Sequence, residues 1–321
     1  MAQVKKSGNF QEAHLARVLV TGGAGFVGSH IVDGLLENGH EVLVVDDLST
    51  GARSNLPANA EFVDFDVAND GFVSVVKSFG PDVISHLAAQ SSVPVSMSDP
   101  NLDARVNIFG GLNVIRGAIE AECEQVVYVN TGGALYGEPE YLPCDEDHPI
   151  RPISAYGLSK WTAECYFRTM LPDSIPLKVL RPANIYGPRQ DPHGESGVIA
   201  IFLRKMLRGD QVTINGDGEH TRDYVYVGDI VEAHEKVMKH GESLVVNIGT
   251  GEGTSVNEIF RRLQEVTGYG EPAHYGPPRP GDVRHIALDA SRARRELGWE
   301  PKVGLIEGLK MTAASMRNAD E

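Results

Sequence analysis

An α/β fold built on a doubly wound parallel sheet, with a smaller C-terminal cap, is predicted by three observations. Short apolar runs alternate with helical stretches, the first run ends in a glycine cluster, and the alternation loosens past residue 180. That first run is Arg17-Val-Leu-Val-Thr21, which stops at Gly22. Val27, Ile31 and Leu35 then recur at helical spacing until Asn38-Gly39 closes the helix. Glu41-Val-Leu-Val-Val-Asp46 follows at once, completing a strand–turn–helix–strand unit. Further strands are predicted at Glu61–Val67, at Asp82–Ala89 behind Gly80-Pro81, at Gln125–Asn130 and at Leu177–Leu180. Runs that are apolar on both faces predict a parallel sheet covered on both sides, the Rossmann arrangement.

After Arg181 the punctuation changes. Gly187-Pro188, Asp191-Pro192 and His193-Gly194 mark a long loop, Asn215-Gly-Asp-Gly218 a tight turn, and the segment 276–281 another irregular stretch. The expected division is a tail over 1–16, a main domain over 17–180, and a cap over 181–321 with some segments returning to the main sheet.

Composition narrows the class. The 321 residues, 41% hydrophobic, suffice for a substantial core and exclude a disordered chain. No apolar run reaches the ~20 residues that span a bilayer. Against 44 Asp and Glu stand 29 Lys and Arg, a net charge of −15 that disfavours generic nucleic-acid binding. Cys123, Cys144 and Cys165 are too few for a disulfide framework and lack metal-site spacing, so a reducing, cytosolic compartment and no metal are expected. Met1 to Ala16 carry Lys5 and Lys6 but no apolar h-region, and read as a tail.

Gly22-Gly-Ala-Gly25-Phe26-Val27-Gly28 contains G-x-x-G-x-x-G, a variant of the dinucleotide fingerprint. The first glycine permits a tight turn, the second lets backbone approach a pyrophosphate, and the third allows close helix–strand packing. The helix opening near Phe26 aims its free N–H groups and positive dipole end at that pyrophosphate. Asp46 ends the next strand 18 residues past Gly28, where a carboxylate would accept from both ribose hydroxyls. Asp47-Leu48-Ser49 follows with no Arg or Lys for a 2′-phosphate, so NAD is favoured over NADP. Asp66, at the end of the third predicted strand, is either an adenine acceptor or a solvated strand-end acid. Leu87, Ala88 and Ala89 are small or apolar enough to let a cofactor lie against the backbone, and ordinary sheet packing predicts the same residues.

Tyr156-Gly-Leu-Ser-Lys160 places a phenol and an ammonium on one helix face. A phenol pKa near ~10 is too high for a base at neutral pH, and a neighbouring ammonium and a positive nicotinamide ring both favour the phenolate. Upstream, Thr131 is the one hydroxyl between Asn130 and Tyr136. It can bond a substrate oxygen and steer it toward Tyr156, or simply bond its own turn.

With these motifs in place, the chain from Arg17 onward resembles the extended short-chain dehydrogenase/reductase family. Within that family it is most similar to the NAD-dependent nucleotide-sugar epimerase/dehydratase group, in its UDP-glucose (UDP-galactose) 4-epimerase branch. The residues that carry the resemblance are Thr21–Gly28, His86-Leu-Ala-Ala89, Asn107, Thr131–Gly137, Tyr156 with Lys160, Arg181-Pro-Ala-Asn184, Thr221–Val227 and Arg279-Pro-Gly-Asp282. The resemblance implies C4 epimerisation of a UDP-hexose through a transient 4-keto sugar and tightly bound NAD. It implies Thr131, Tyr156 and Lys160 as catalytic residues. The implied cofactor contacts are Gly22, Gly25, Phe26, Val27, Gly28, Asp46, Leu48, Ser49, Asp66, Val67, Leu87, Ala88, Ala89, Gln90, Asn107, Tyr156, Lys160 and Pro182. The cap would hold the UDP-sugar: Asn184, Arg222 and Arg279 at the diphosphate, Asp282 at the ribose, Val198 and Thr213 beside the base, Thr131 and Tyr156 at the sugar.

The local chemistry agrees in part. An anionic substrate entering a −15 protein needs local cations, and Arg suits bidentate phosphate contact. Arg222-Asp223 can equally be an exposed ion pair worth little. A 4,6-dehydratase needs an acid beside the catalytic hydroxyl, and Gly132-Gly133 cannot transfer a proton; a UDP-glucuronate decarboxylase is disfavoured for a similar reason. Ile286 stands where some relatives carry a bulky Tyr against N-acetylated sugars, so UDP-GlcNAc, UDP-GalNAc or UDP-glucuronate stay open as substrates. A dehydrogenase that releases NADH and a catalytically silent scaffold are the readings of another class. The resemblance implies a homodimer through a four-helix bundle of Asp103–Glu120 and Ser154–Met170; Ile108, Leu112, Ile115 and Ile119 make an apolar stripe there, which packing within the chain explains as well.

Overall fold

The computed structural model describes residues 15–192, 197–278 and 283–320. In chain order the strands are β1 (Arg17–Thr21), β2 (Glu41–Asp46), β3 (Glu61–Asp64), β4 (Val83–His86), β5 (Gln125–Val129), β6 (Leu177–Pro182), β7 (Asn184–Tyr186), β8 (Thr213–Asn215), β9 (Thr221–Tyr226), β10 (Leu244–Ile248), β11 (Gly253–Ser255) and β12 (His274–Gly276). The helices are α1 (Phe26–Glu37), α2 (Phe72–Phe79), α3 (Val93–Ser98), α4 (Pro100–Ala104), α5 (Gly110–Glu120), α6 (Ala155–Met170), α7 (Val198–Arg208), α8 (Val227–Met238), α9 (Val256–Thr267), α10 (Ser291–Leu297) and α11 (Leu305–Asp320).

Seven parallel strands form the main sheet in the order β10-β6-β5-β4-β1-β2-β3. The strands read as continuous apolar runs because alternate residues enter different cores. Val18, Val20, Val42 and Val44 pack on the face covered by α1 and α8, while Leu19, Leu43 and Val45 pack on the face covered by α2, α5 and α6. Burial on both faces is what a parallel sheet with helical crossovers demands. The third and fourth strands are shorter than expected: β3 ends at Asp64 and β4 at His86. Asp66 and Leu87–Ala89 therefore stand on loops beyond the strand ends.

Past β6 the chain builds the cap. A three-stranded sheet (β11-β9-β7) and the β8–β12 pair pack with α7, α9 and α11 around a separate core of Phe202, Leu203, Ile214, Phe260 and Leu263. The chain then returns. Helix α8 lies against α1, β10 adds an edge to the main sheet beside β6, and α10 packs on both. The cap is thus interrupted by main-sheet elements.

Candidate active site

Strand order reverses between β1 and β4, and the crevice at the carboxyl ends of such strands is where α/β sheets bind ligands. A cleft of about 990 Å³ opens there and runs on beneath the cap. Its floor is the glycine turn. Gly22 has φ +69, and a Cβ on it would stand 2.5 Å from the Ala88 backbone nitrogen. A Cβ on Gly28 would stand 2.1 Å from the Gly22 carbonyl oxygen, so only glycine lets α1 start this close to β1. Gly25 differs: a Cβ there would meet the Gly22 oxygen alone, at 3.2 Å, and otherwise project into open space. Gly25 also caps α1 without a side chain, so the first-turn N–H groups are left for an anion. This cradle fits a dinucleotide pyrophosphate.

Asp46 is buried, with its carboxylate accepting from the Ala24 and Leu48 amides at 2.9 Å each. Burial pushes its pKa up, opposed by those two hydrogen bonds. Asp66 lines the cleft, accepts from the Ala68 amide at 2.8 Å and forms an ion pair with Arg105. Ser49, Val67, Leu87, Ala88, Ala89 and Pro182 also line it. Leu48, Gln90 and Asn107 stand behind that lining. Asn107 sits in a π-helical turn (Arg105–Phe109) that faces it inward. Its amide donates to Gln90 O at 3.0 Å, Asp103 Oδ1 at 3.1 Å and Ser159 Oγ at 3.0 Å, and its oxygen accepts from the Gln90 N–H at 2.9 Å. It fastens the β4 loop to α6, next to Lys160.

Helix α6 begins at Ser154, whose Oγ accepts from the Gly157 amide at 3.1 Å, so Tyr156 and Lys160 fall one turn apart at the cleft wall. Thr131, on the loop after β5, lines the same cleft beside Tyr156 and Lys160 of α6. Lys160 is buried, donates to Val129 O at 2.9 Å and lies 4.4 Å over the Tyr128 ring. Burial pushes Tyr156 up to about 12, with the neighbouring Thr131 hydroxyl pulling the other way. Burial likewise pushes Lys160 down to about 7, against the pull of the Asp103 and Glu164 carboxylates. In the chain by itself low polarity penalises both charges, and the expected phenolate calls on the ammonium together with the positive nicotinamide ring.

The Lys160 shift has a stability consequence. An unfolded lysine titrates near ~10.4 and the folded one near 7, so between these values the unfolded state binds more protons and stability rises with pH. In cofactor-free protein, the melting-temperature difference between wild type and Lys160→Met should grow in wild type's favour from about pH 7 to about pH 9. A difference independent of pH would contradict the buried-ammonium assignment.

The cap supplies the other wall. Asn184, Val198, Thr213 and Arg222 all line the cleft. Strand alternation separates Arg222 from Asp223. Asp223 is buried behind the strand and accepts from Thr250 N at 2.9 Å, Thr250 Oγ1 at 2.6 Å, Gly251 N at 3.0 Å and Leu288 N at 3.1 Å. Arg222 makes one hydrogen bond, to Thr221 O at 2.9 Å, and pairs with no carboxylate among the described residues. It is a cation left for the cleft. Tyr224, next on that face and in register with Asn184 of β7, carries a buried phenol oxygen without a partner. Sequence reasoning missed it, though its i+2 spacing from Arg222 was a usable signal. Lys205 on α7 also lines this wall. Arg279 and Asp282 lie outside the described residues. Ile286 is buried in the main core and is not a cleft residue, which corrects the expectation that it sizes the sugar pocket; Val283 lines the cleft instead. No cluster of three metal-ligating side chains occurs among the described residues.

A glycine-turn dinucleotide cradle, joined in one cleft to a Thr–Tyr–Lys cluster and a cationic cap, defines an enzyme of the extended short-chain dehydrogenase/reductase class. The profile of the NAD dependent epimerase/dehydratase family matches residues 18–249, and the chain belongs to that family. The UDP-glucose 4-epimerase of Mycolicibacterium smegmatis is 42% identical over 314 residues, covering 95% of this chain and all of that protein. Among solved structures, the UDP-glucose 4-epimerase of Thermotoga maritima with UDP-glucose is 47% identical, with a TM-score of 0.92 over 95% of this chain and 100% of that one. The Thermus thermophilus UDP-glucose 4-epimerase in complex with NAD is 43% identical, with a TM-score of 0.88 over 94% of this chain and 99% of that one.

Proposed function

We propose that this protein interconverts UDP-glucose and UDP-galactose by epimerisation at C4, using NAD that it retains. The observation that carries the reading is the convergence of Thr131, Tyr156 and Lys160 on one stretch of cleft wall, set where the dinucleotide cradle meets Arg222. NAD, when bound, supplies a reversible hydride acceptor for the sugar C4 and a positive charge beside the phenol. Tyr156 takes the proton of the 4-hydroxyl and later returns it, while Thr131 bonds that oxygen and keeps it aimed at the phenol. Lys160 would hold the nicotinamide ribose. Arg222, Asn184 and the unpartnered Tyr224 phenol grip the diphosphate, leaving the 4-keto sugar free to present its other face.

Dehydration is disfavoured by space as well as chemistry. A Cβ on Gly132 would stand 2.3 Å from Leu288 Cδ1 and 3.0 Å from Arg181 O, so a side chain there has to push Leu288 aside and press on the backbone. The relatives named UDP-glucose 4-epimerase favour the unsubstituted hexose over N-acetylated sugars or a uronate. Incubation with UDP-glucose, UDP-GlcNAc, UDP-glucuronate and UDP-xylose should give the 4-epimer fastest from UDP-glucose, with no accumulating NADH. Faster turnover of another sugar would replace the substrate; accumulating NADH would replace the reaction.

The reading includes a homodimer. Leu158, Tyr166 and Met170 recur along α6 at i+4 multiples and are 56%, 40% and 43% exposed; Phe109 and Ile119 beside them are 59% and 41% exposed. Two such helices per copy favour a four-helix bundle. The exposed stripe is rotated from the expected one, since Ile115 is fully buried against the sheet. A solution mass near twice 34.7 kDa is expected, and a monomer at micromolar concentration counts against pairing. No helix among the described residues is long and apolar enough to cross a membrane, and the three cysteines are free. A cytoplasmic site of action suits those unpaired thiols.

A further inference from the structure

Glu164 lies one turn past Lys160 on α6 and is fully buried, yet nothing in the proposed chemistry uses it. Its Oε2 accepts from the Asn130 side-chain amide at 2.5 Å and from Arg181 Nε at 3.1 Å. Its Oε1 accepts from Arg181 Nη2 and Arg168 Nη2, both at 2.6 Å. Asn130 turns its own oxygen to the Thr131 amide at 2.8 Å. The other end of the same loop is tied to the same pair: Arg181 Nη1 donates to the Tyr136 hydroxyl at 3.2 Å, and that hydroxyl donates to Asn247 Oδ1 at 2.7 Å. One buried carboxylate–guanidinium pair thus reaches both ends of the six-residue segment Thr131-Gly-Gly-Ala-Leu-Tyr136.

We infer that the Glu164–Arg181 pair is a clamp that fixes this loop, and through it sets the position of the Thr131 hydroxyl against Tyr156. A loop containing Gly132-Gly133 has little rigidity of its own, because glycine gives up more conformational freedom on ordering than any other residue. A buried ion pair is weak evidence for stability, since desolvation offsets much of its attraction. Its stronger use is to specify one arrangement, and this pair has every carboxylate oxygen engaged by donors. Glu164 and Arg181 are positioning residues: neither lines the cleft.

The inference rests on the proposed epimerase reading for its kinetic arm and stands apart from it in its exchange arm. Glu164→Gln keeps the shape but has one acceptor oxygen where two are needed. In NAD-loaded protein, kcat on UDP-glucose should fall at least about tenfold, the worth of one charged hydrogen bond, with KM within about threefold of wild type. Amide hydrogen exchange in 130–137 should quicken by about tenfold, while exchange in the glycine turn 22–28 stays as in wild type. Tyr136→Phe loosens the other end without touching the carboxylate and should shift both readouts in the same direction. It decides the matter if Glu164→Gln does not fold. Unchanged kcat and unchanged loop exchange, or an acceleration spread evenly over all amides, would overturn the clamp. If wild type does not turn over UDP-glucose, the functional reading fails, and loop exchange alone still tests the clamp.

Discussion

Tyr156→Phe is expected to lower turnover of UDP-glucose by roughly 10³-fold while leaving NAD bound. The substitution removes one hydroxyl and almost no volume, so α6 and the cleft wall should persist. What is lost is the group that takes the proton of the 4-hydroxyl. Thr131 cannot replace it, since an aliphatic hydroxyl has no accessible charged form at neutral pH. Burial holds Tyr156 up at about 12 in the chain by itself, so base strength has to come from the loaded site. The rate of the reacting enzyme should therefore depend on cofactor occupancy as well as pH. Cofactor content of the purified variant, assayed beside its rate, checks both halves. A variant with wild-type-like rates would remove Tyr156 from the reaction.

Gly28→Val is the second large effect. A Cβ at this position already overlaps the Gly22 carbonyl oxygen at 2.1 Å and the Gly23 Cα at 2.8 Å, and valine adds two methyl groups. Both obstacles are backbone, so α1 must move away from β1. That motion displaces the N–H groups of the first turn from the place where a pyrophosphate would sit. The variant should purify without NAD and melt well below wild type. Isolation of a variant with full cofactor content would show that the cradle does not depend on this packing.

The strands and the glycine turn were legible because their signals are local: an apolar run buried on both faces, then glycines where no Cβ fits. Tyr156 and Lys160 were legible because a helical turn guarantees that residues four apart meet. Contacts that depend on distant elements were harder to read. Asn107 falls inside a π turn, which breaks the 3.6-residue phase and carries its side chain inward. Of the apolar stripe on α5, Ile115 enters the core, as packing within the chain would have it, while Ile119 stays exposed. Ile286 was assigned to the sugar pocket by counting along the chain, but its backbone amide joins the Thr221 carbonyl and its side chain enters the main core. The Asp223 carboxylate looked like a partner for Arg222, and only the loop at Thr250–Gly251 and Leu288 show where it is engaged. The direction of the Tyr156 pKa could not be read from its neighbours alone, because burial, a property of the whole fold, is its largest cause.

The central claim is that hydrogen leaves C4 and returns to the opposite face of the same carbon without exchanging with water. UDP-glucose deuterated at C4 tests this most directly. Run in ordinary water with the NAD-loaded enzyme, the account predicts UDP-galactose that keeps its deuterium at C4, read by proton NMR and mass spectrometry, with no accumulating NADH. Deuterium lost to solvent from C4, or reduced cofactor released in step with a stable keto-sugar, would contradict it.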